Sequence, residues 1–154
     1  MDLNGHGTHC AGIIGGSAPN GTFIGVAPEV TFGAYRVFGK TGGTASDIIA
    51  AAMERAFLDG MDVINLSLGG GSAWAGYPTA VAGDRLSKAG LIVIAAMGND
   101  GVFGLWETSA PAVGNEVIAV ASFDNAYYRG RNGILSSGDE IGKRLIVIDT
   151  TPLN

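Results

Sequence analysis

The stretch NGHGTHCAGI, residues 4–13, sets two histidines three positions apart beside a lone cysteine, with three glycines among them. An imidazole titrates near neutrality and is the usual side chain for general acid–base catalysis. Gly5 and Gly7 flank His6 and carry no Cβ, so a substrate backbone can approach the ring. The same residues also read as a turn with an exposed histidine. His6 and His9, at i and i+3, would share a helix face as metal ligands, but no Cys pair, Glu or third His stands at ligand spacing, and no metal is expected. Cys10 follows His9 by one helical step of about 100°, and is expected to pack inward as a small hydrophobe rather than act as a nucleophile. Asn99, in MGND after an apolar run, offers a side-chain NH₂ that donates at any pH, or else forms a plain Asn turn.

Taken whole, NGHGTHCAGI resembles the histidine motif of the subtilases, the subtilisin-like serine proteases, whose pattern is H-G-T-H-x-A-G. The segments GVAPEVTFGAYRVF (25–38), DVINLSLGG (62–70) and LIVIAAMGND (91–100) follow in the family's order and spacing, so the resemblance spans residues 2–125. It implies an α/β fold, an incomplete parallel-sheet three-layer sandwich of subtilisin type. It also implies roles. His6 matches the base that takes the serine proton and returns it to the leaving amine, and His9 the second, structural histidine. Asn99 matches the donor to the developing oxyanion, a role subtilisin itself exemplifies. Ser67, Leu68 and Gly69 match the strand that pairs with substrate backbone, Leu68 also lining the first specificity pocket, and Gly42 and Gly43 match the opposite strand. Two such edges bind an extended polypeptide by β-addition. The resemblance further implies secretion, no required cofactor, and a structural calcium loop near SAPNGTFIG (17–25), where Asn20 and carbonyls would be ligands without a carboxylate.

The family's other two catalytic residues do not match. A triad needs an Asp at a strand end before the His and a Ser after the Asn. Asp2 stands only four residues before His6, and G-T-S-M-x-x-P is absent. TSAP (108–111) lacks the preceding Gly and the Met, so Ser109 is not assigned. LIVIDT (145–150) looks like the family's aspartate strand, yet it follows the histidine and has Thr151 at the glycine position, and is read as an ordinary buried strand. The expectation is therefore a partial serine endopeptidase domain, with negligible activity from residues 1–154 alone. The alternative is a noncatalytic peptide-binding pseudoprotease or degenerate paralogue. A nucleotide-binding domain is excluded by the lack of G-x-G-x-x-G or a Walker motif after any strand.

These residues need a scaffold. VTFGAYRVF (30–38) is β-branched and aromatic and reads as a strand. SDIIAAAMERAFLDG (46–60) reads as a helix capped by Ser46, with Asp47 in its first turn and Gly60 as the left-handed stop. MDVINLSLG (61–69) is a strand, TAVAGDRLSKAG (79–90) a helix, and LIVIAAMG (91–98) a strand apolar enough to be covered on both faces. EVIAVASF (116–123) and RLIVID (144–149) read as further strands. Alternating strands and helices predict a parallel sheet, with chemistry beyond the carboxyl ends of its strands. That rule selects SLGGG (67–71), GNDG (98–101) and GKTGG (39–43). The segment after residue 124 mixes aromatics, charges and glycines without period, giving a partial catalytic domain over 1–124 and a divergent tail, read as the start of an inserted domain, over 125–154.

Bulk properties bound the rest. The chain of 154 residues is 47% hydrophobic and carries a net charge of −5, so it can build a core but has no basic face for nucleic acid or an anionic membrane. Its one cysteine excludes an internal disulfide. The chain opens without a signal-peptide pattern, so a secretion signal is expected upstream. Of two glycosylation sequons, Asn20-Gly21-Thr22 reads as a surface loop, whereas Asn65-Leu66-Ser67 is expected to be buried.

Overall fold

The structure is a computed structural model that describes residues 2–122 and, beyond them, the backbone of two short strands, Gly133–Ile134 and Glu140–Ile141. The chain divides into two compact units, Met1–Ala121 and Ser122–Asn154. In the second, Gly133–Ile134 pairs antiparallel with Glu140–Ile141. The expected strand at 144–149 lies outside the described residues.

In the first unit, helix α1 runs over His6–Gly15, α2 over Ser46–Leu58 and α3 over Pro78–Lys88. Ile49, Met53 and Ala56 recur at helical spacing and are the buried residues of α2. The expected cap is corrected: the N-cap position is Ala45, and the Ser46 hydroxyl, already inside the helix, donates to the Tyr77 hydroxyl at 3.3 Å. Gly60 does supply the left-handed stop, at φ +78°. Helix α3 starts with Pro78, whose fixed φ and missing N–H suit a first turn.

Strands β1 (Val63–Leu66), β2 (Ile92–Ala96) and β3 (Ile118–Val120) form a parallel sheet in that order, Val63 opposite Ile92 and Ile94 opposite Ile118. Side chains alternate across a strand, so Leu66, Val93 and Ala95 face the same way. There they form one core with Ile49, Met53, Leu86, Leu91, Ala112 and Val117. The turn leading into β3 is tied to α3 through buried Asp84, whose carboxylate accepts the Glu116 N–H at 2.8 Å and the Asn115 amide at 3.4 Å.

Two expectations fail here. The run 30–38 forms no strand, because no other described segment hydrogen-bonds along it. It is held instead by the Tyr35 hydroxyl, which donates to Asp59 at 2.8 Å. And β2 is covered on one face only: Ile92 is 48% exposed, its partner Val63 50%, and Ile118, opposite Ile94, 53%. The apolar run was long enough for burial on both sides, but among the described residues the core lies on one.

Candidate active site

The carboxyl ends of β1 and β2 lie side by side, and the chain leaves both through glycine-rich loops. A third segment is laced to them. Gly70 and Ala110 exchange backbone hydrogen bonds of 3.2 and 3.1 Å, the Ala73 N–H donates to the Thr108 carbonyl at 3.0 Å, and the Ser109 N–H donates to the Met97 carbonyl at 3.0 Å. Ser109 is thereby wedged, 2% exposed, between two strand-end glycines. A Cβ at Gly69 would lie 2.7 Å from the Ser109 Cβ, and one at Gly98 would overlap the Ser109 hydroxyl. Gly98 also has φ +106°, a conformation side chains resist.

Between these loops is a cavity of about 200 Å³. Ser67, Leu68, Gly69 and Asn99, singled out from the sequence, line it together with Ala96, Gly98, Asp100 and Ser109. Gly98 and Asp100 belong to the strand-end loop 98–101 that the sequence also selected, whereas Ala96 and Ser109 were not anticipated. Ala96 ends β2 just before that loop. Ser109 arrives through a long-range bridge that no local pattern announces. Asn65, expected to be buried, is exposed, and its amide donates to the Ser67 hydroxyl at 2.9 Å. Leu66 between them points into the core, so alternation turns Asn65 outward.

His6 is the first residue of α1. Its N-cap, Gly5, lies at φ +91° and has no side chain to cap with. Asp2 caps instead. Its Oδ1 accepts the N–H groups of Gly5 at 2.8 Å and Asn4 at 3.0 Å, and its Oδ2 accepts the Thr8 N–H at 3.0 Å and the Thr8 hydroxyl at 2.8 Å. These bonds, that from Gly5 foremost, hold the Asp2 carboxyl well below the usual carboxylate range. Asp before a helix start is a capping signal that sequence reasoning missed. The His6 ring meets no carboxylate among the described residues. Its neighbour is Cys10, half-buried, with Sγ 3.9 Å from Nε2 and 4.0 Å from Nδ1. This corrects the inward-packing expectation: Cys10 is one step off His9 but i+4 from His6, hence on the same face.

His6, Gly42 and Gly43 do not line the cavity. The glycine pair belongs to a turn closed on itself, with Gly42 at φ +83° and its N–H donating to the Gly39 carbonyl at 3.2 Å. His9 is exposed, its N–H bonded to the Gly5 carbonyl at 2.9 Å. In the segment 17–25 the Asn20 Oδ1 is occupied by the Thr22 N–H at 3.2 Å and hydroxyl at 2.7 Å. No Asp or Glu stands in this segment, so its own oxygen donors are limited to side-chain amide and hydroxyl groups and backbone carbonyls. Among the described residues no three His, Cys, Asp or Glu side chains gather as metal ligands, and no helix is long and apolar enough to cross a membrane.

Parallel strands whose carboxyl ends lead through glycine-rich loops to a cavity lined by Ser67–Gly69 and Asn99 define an α/β protein, a class in which ligands are taken at the strand ends. The chain belongs to the subtilase family (Peptidase_S8), whose model matches residues 1–147. It is 40% identical over 117 residues to the minor extracellular protease Vpr of Bacillus subtilis (strain 168), covering 76% of this chain and 14% of that protein. It is also 40% identical over 124 residues to the major intracellular serine protease of the same strain, covering 79% of this chain and 38% of that one. Among solved structures, sphericase superposes with a TM-score of 0.70 at 32% identity, over 84% of this chain and 43% of that chain. The fold is the subtilisin-type α/β fold, and the chain spans less than half the length of each of these relatives.

Proposed function

We propose that this chain is the histidine-bearing and oxyanion-binding part of a serine endopeptidase that hydrolyses peptide bonds in extended polypeptides. The observation that carries the reading is the cavity at the ends of β1 and β2, where Ser67, Leu68 and Gly69 form one wall and Asn99 another. Substrate backbone adds to the edge at Ser67–Gly69, with the Gly42–Gly43 loop as the second edge. A side chain enters the cavity beside Leu68. The Asn99 amide donates to the carbonyl oxygen as charge develops on it, and His6 takes the proton of a serine and passes it to the leaving amine. That serine, and the aspartate that would orient His6, have no counterpart matched in the sequence.

The chain by itself therefore binds peptide and does not turn it over. Its partner is a polypeptide, with neither nucleic acid nor membrane in its role, and its working compartment is extracellular, as for the Vpr relative and unlike the equally similar intracellular protease. A second reading, a noncatalytic peptide-binding module, draws on the lack of a carboxylate at the His6 ring among the described residues and on Asp2 being committed to the N–H groups of Asn4, Gly5 and Thr8 and to the Thr8 hydroxyl.

The test is an NMR titration of the labelled chain with a short extended peptide, run beside a casein-hydrolysis assay. Shifts confined to Ser67–Gly69, Ala96–Asp100 and the Gly42–Gly43 loop, with no hydrolysis, are expected. Shifts elsewhere, or none, would overturn the assignment of the cleft. Joining the chain to the remaining part of a subtilase catalytic domain then separates the readings: hydrolysis that depends on His6 supports the endopeptidase, and continued binding without hydrolysis supports the noncatalytic module.

A further inference from the structure

Two Asn-Gly pairs are exposed in the first unit, and the structure treats them differently. An asparagine followed by glycine is the dipeptide most prone to succinimide formation, because no side chain hinders attack by the glycine nitrogen. That nitrogen gives up its proton to solvent base and attacks the asparagine Cγ. The bond from Cγ to the side-chain nitrogen breaks and ammonia leaves. Water then opens the ring at either carbonyl, giving aspartate or isoaspartate, with no change of oxidation state.

At Asn20-Gly21 the amide oxygen accepts two donors, the Thr22 N–H at 3.2 Å and the Thr22 hydroxyl at 2.7 Å. They polarise the carbonyl and meet the charge that builds on this oxygen in the tetrahedral intermediate, as any pre-placed oxyanion donors do. The Gly21 N–H is bonded only to a neutral carbonyl, that of Ala18, at 2.9 Å. At Asn4-Gly5 the arrangement is reversed. The Asn4 amide oxygen accepts one longer bond, from the His6 N–H at 3.3 Å, while the attacking Gly5 N–H is held at 2.8 Å by a carboxylate, Asp2. Deprotonating it would break a charge-assisted bond and place one anion against another.

We propose that Asn20 is a site of spontaneous deamidation in this protein, and that Asp2 guards Asn4 from the same reaction. The guard works at neutral pH because Asp2, held by its four donors, stays ionised. What it protects is local geometry: isoaspartate adds a methylene to the main chain, and at position 4 that insertion falls two residues before His6, whereas at position 20 it falls in an exposed turn.

The experiment is to age the purified chain in mildly alkaline buffer and follow conversion by mass spectrometry. The tryptic peptide 1–36 holds both pairs, so electron-transfer fragmentation is used to assign the position and to separate aspartate from isoaspartate. Asn20 is expected to convert faster than Asn4 by about tenfold or more, the scale of one charge-assisted hydrogen bond. Asp2→Asn should raise the Asn4 rate toward that of Asn20. Thr22→Val, in the exposed turn and without bearing on α1, should slow Asn20 severalfold by removing the hydroxyl donor. Equal rates at the two sites in the unmodified chain would overturn the proposal, as would an Asn20 rate indifferent to Thr22→Val.

Discussion

Asp2 spends both carboxylate oxygens on the first turn of α1, and its acidity follows. A carboxyl whose folded pKa is lowered adds stability that is fully present above its unfolded value and is lost as pH falls through the folded one. The expected outcome is that Gly5 and Thr8 amide signals show no transition near pH 4, where an ordinary aspartate titrates, and show the one linked to Asp2 only in stronger acid. Asp2→Asn should abolish that acid transition and speed hydrogen exchange at both amides at every pH. A pH series of amide spectra checks both. At the other end of the site, Gly98 has a different constraint, with φ +106° and the Ser109 hydroxyl where its Cβ would be. Gly98→Ala should cost about 1–3 kcal/mol from backbone strain alone, plus the overlap. Adding Ser109→Gly should recover the second part and leave the first, as chemical denaturation of the two variants would show.

Helix glycines separate propensity from packing at the scale of elements. Alanine in place of glycine inside a helix is worth about 1 kcal/mol when nothing interferes. In α1 a Cβ on Gly12 would meet no atom within 4 Å, so Gly12→Ala should stabilise by up to that amount. In α3 a Cβ on Gly83 would lie 2.7 Å from Val117 Cγ2 and 3.6 Å from Met53 Cε, in the closest layer of the core. Gly83→Ala should therefore destabilise, by about 1–3 kcal/mol, the ordinary cost of overpacking. Met53→Ala, removing a side chain 1% exposed, should cost about 2–5 kcal/mol by leaving a cavity. Urea midpoints for the three variants order them. Local signals made α2 readable from sequence, apolar residues at helical spacing and Gly60 past the end, while Pro78, which starts α3, was a start signal left unread. They also gave strands β1 to β3 as apolar runs. The run 30–38 had the same β-branched, aromatic composition and still formed no strand, because a strand is made by its partner and composition does not name one. The cavity was half legible for a related reason. Ser67 to Gly69 and Asn99 follow strand ends, whereas Ser109 enters through the Gly70–Ala110 bridge between segments distant in the chain.

For the first unit as a whole, the uneven sheet is the decisive feature. A parallel sheet is normally covered on both faces, because its strands are apolar on both. Here Leu66, Val93 and Ala95 are sealed against α2 and α3, while Val63, Ile92, Ile118 and Val120 on the other side are each about half exposed. Scattered apolar residues on a surface need no explanation, but four on neighbouring strands make a continuous patch. The expected consequence is strong fluorescence enhancement of a hydrophobic dye by the folded chain at neutral pH. Ile92→Thr with Ile118→Thr should reduce it markedly while far-ultraviolet dichroism and the urea midpoint barely move, since threonine keeps the β-branched shape that strands favour and neither residue belongs to the core. If the dye signal survives the double substitution, the enhancement comes from elsewhere, and the next place to look is the apolar loop after Asn99, where Val102, Phe103, Leu105 and Trp106 are 78–96% exposed.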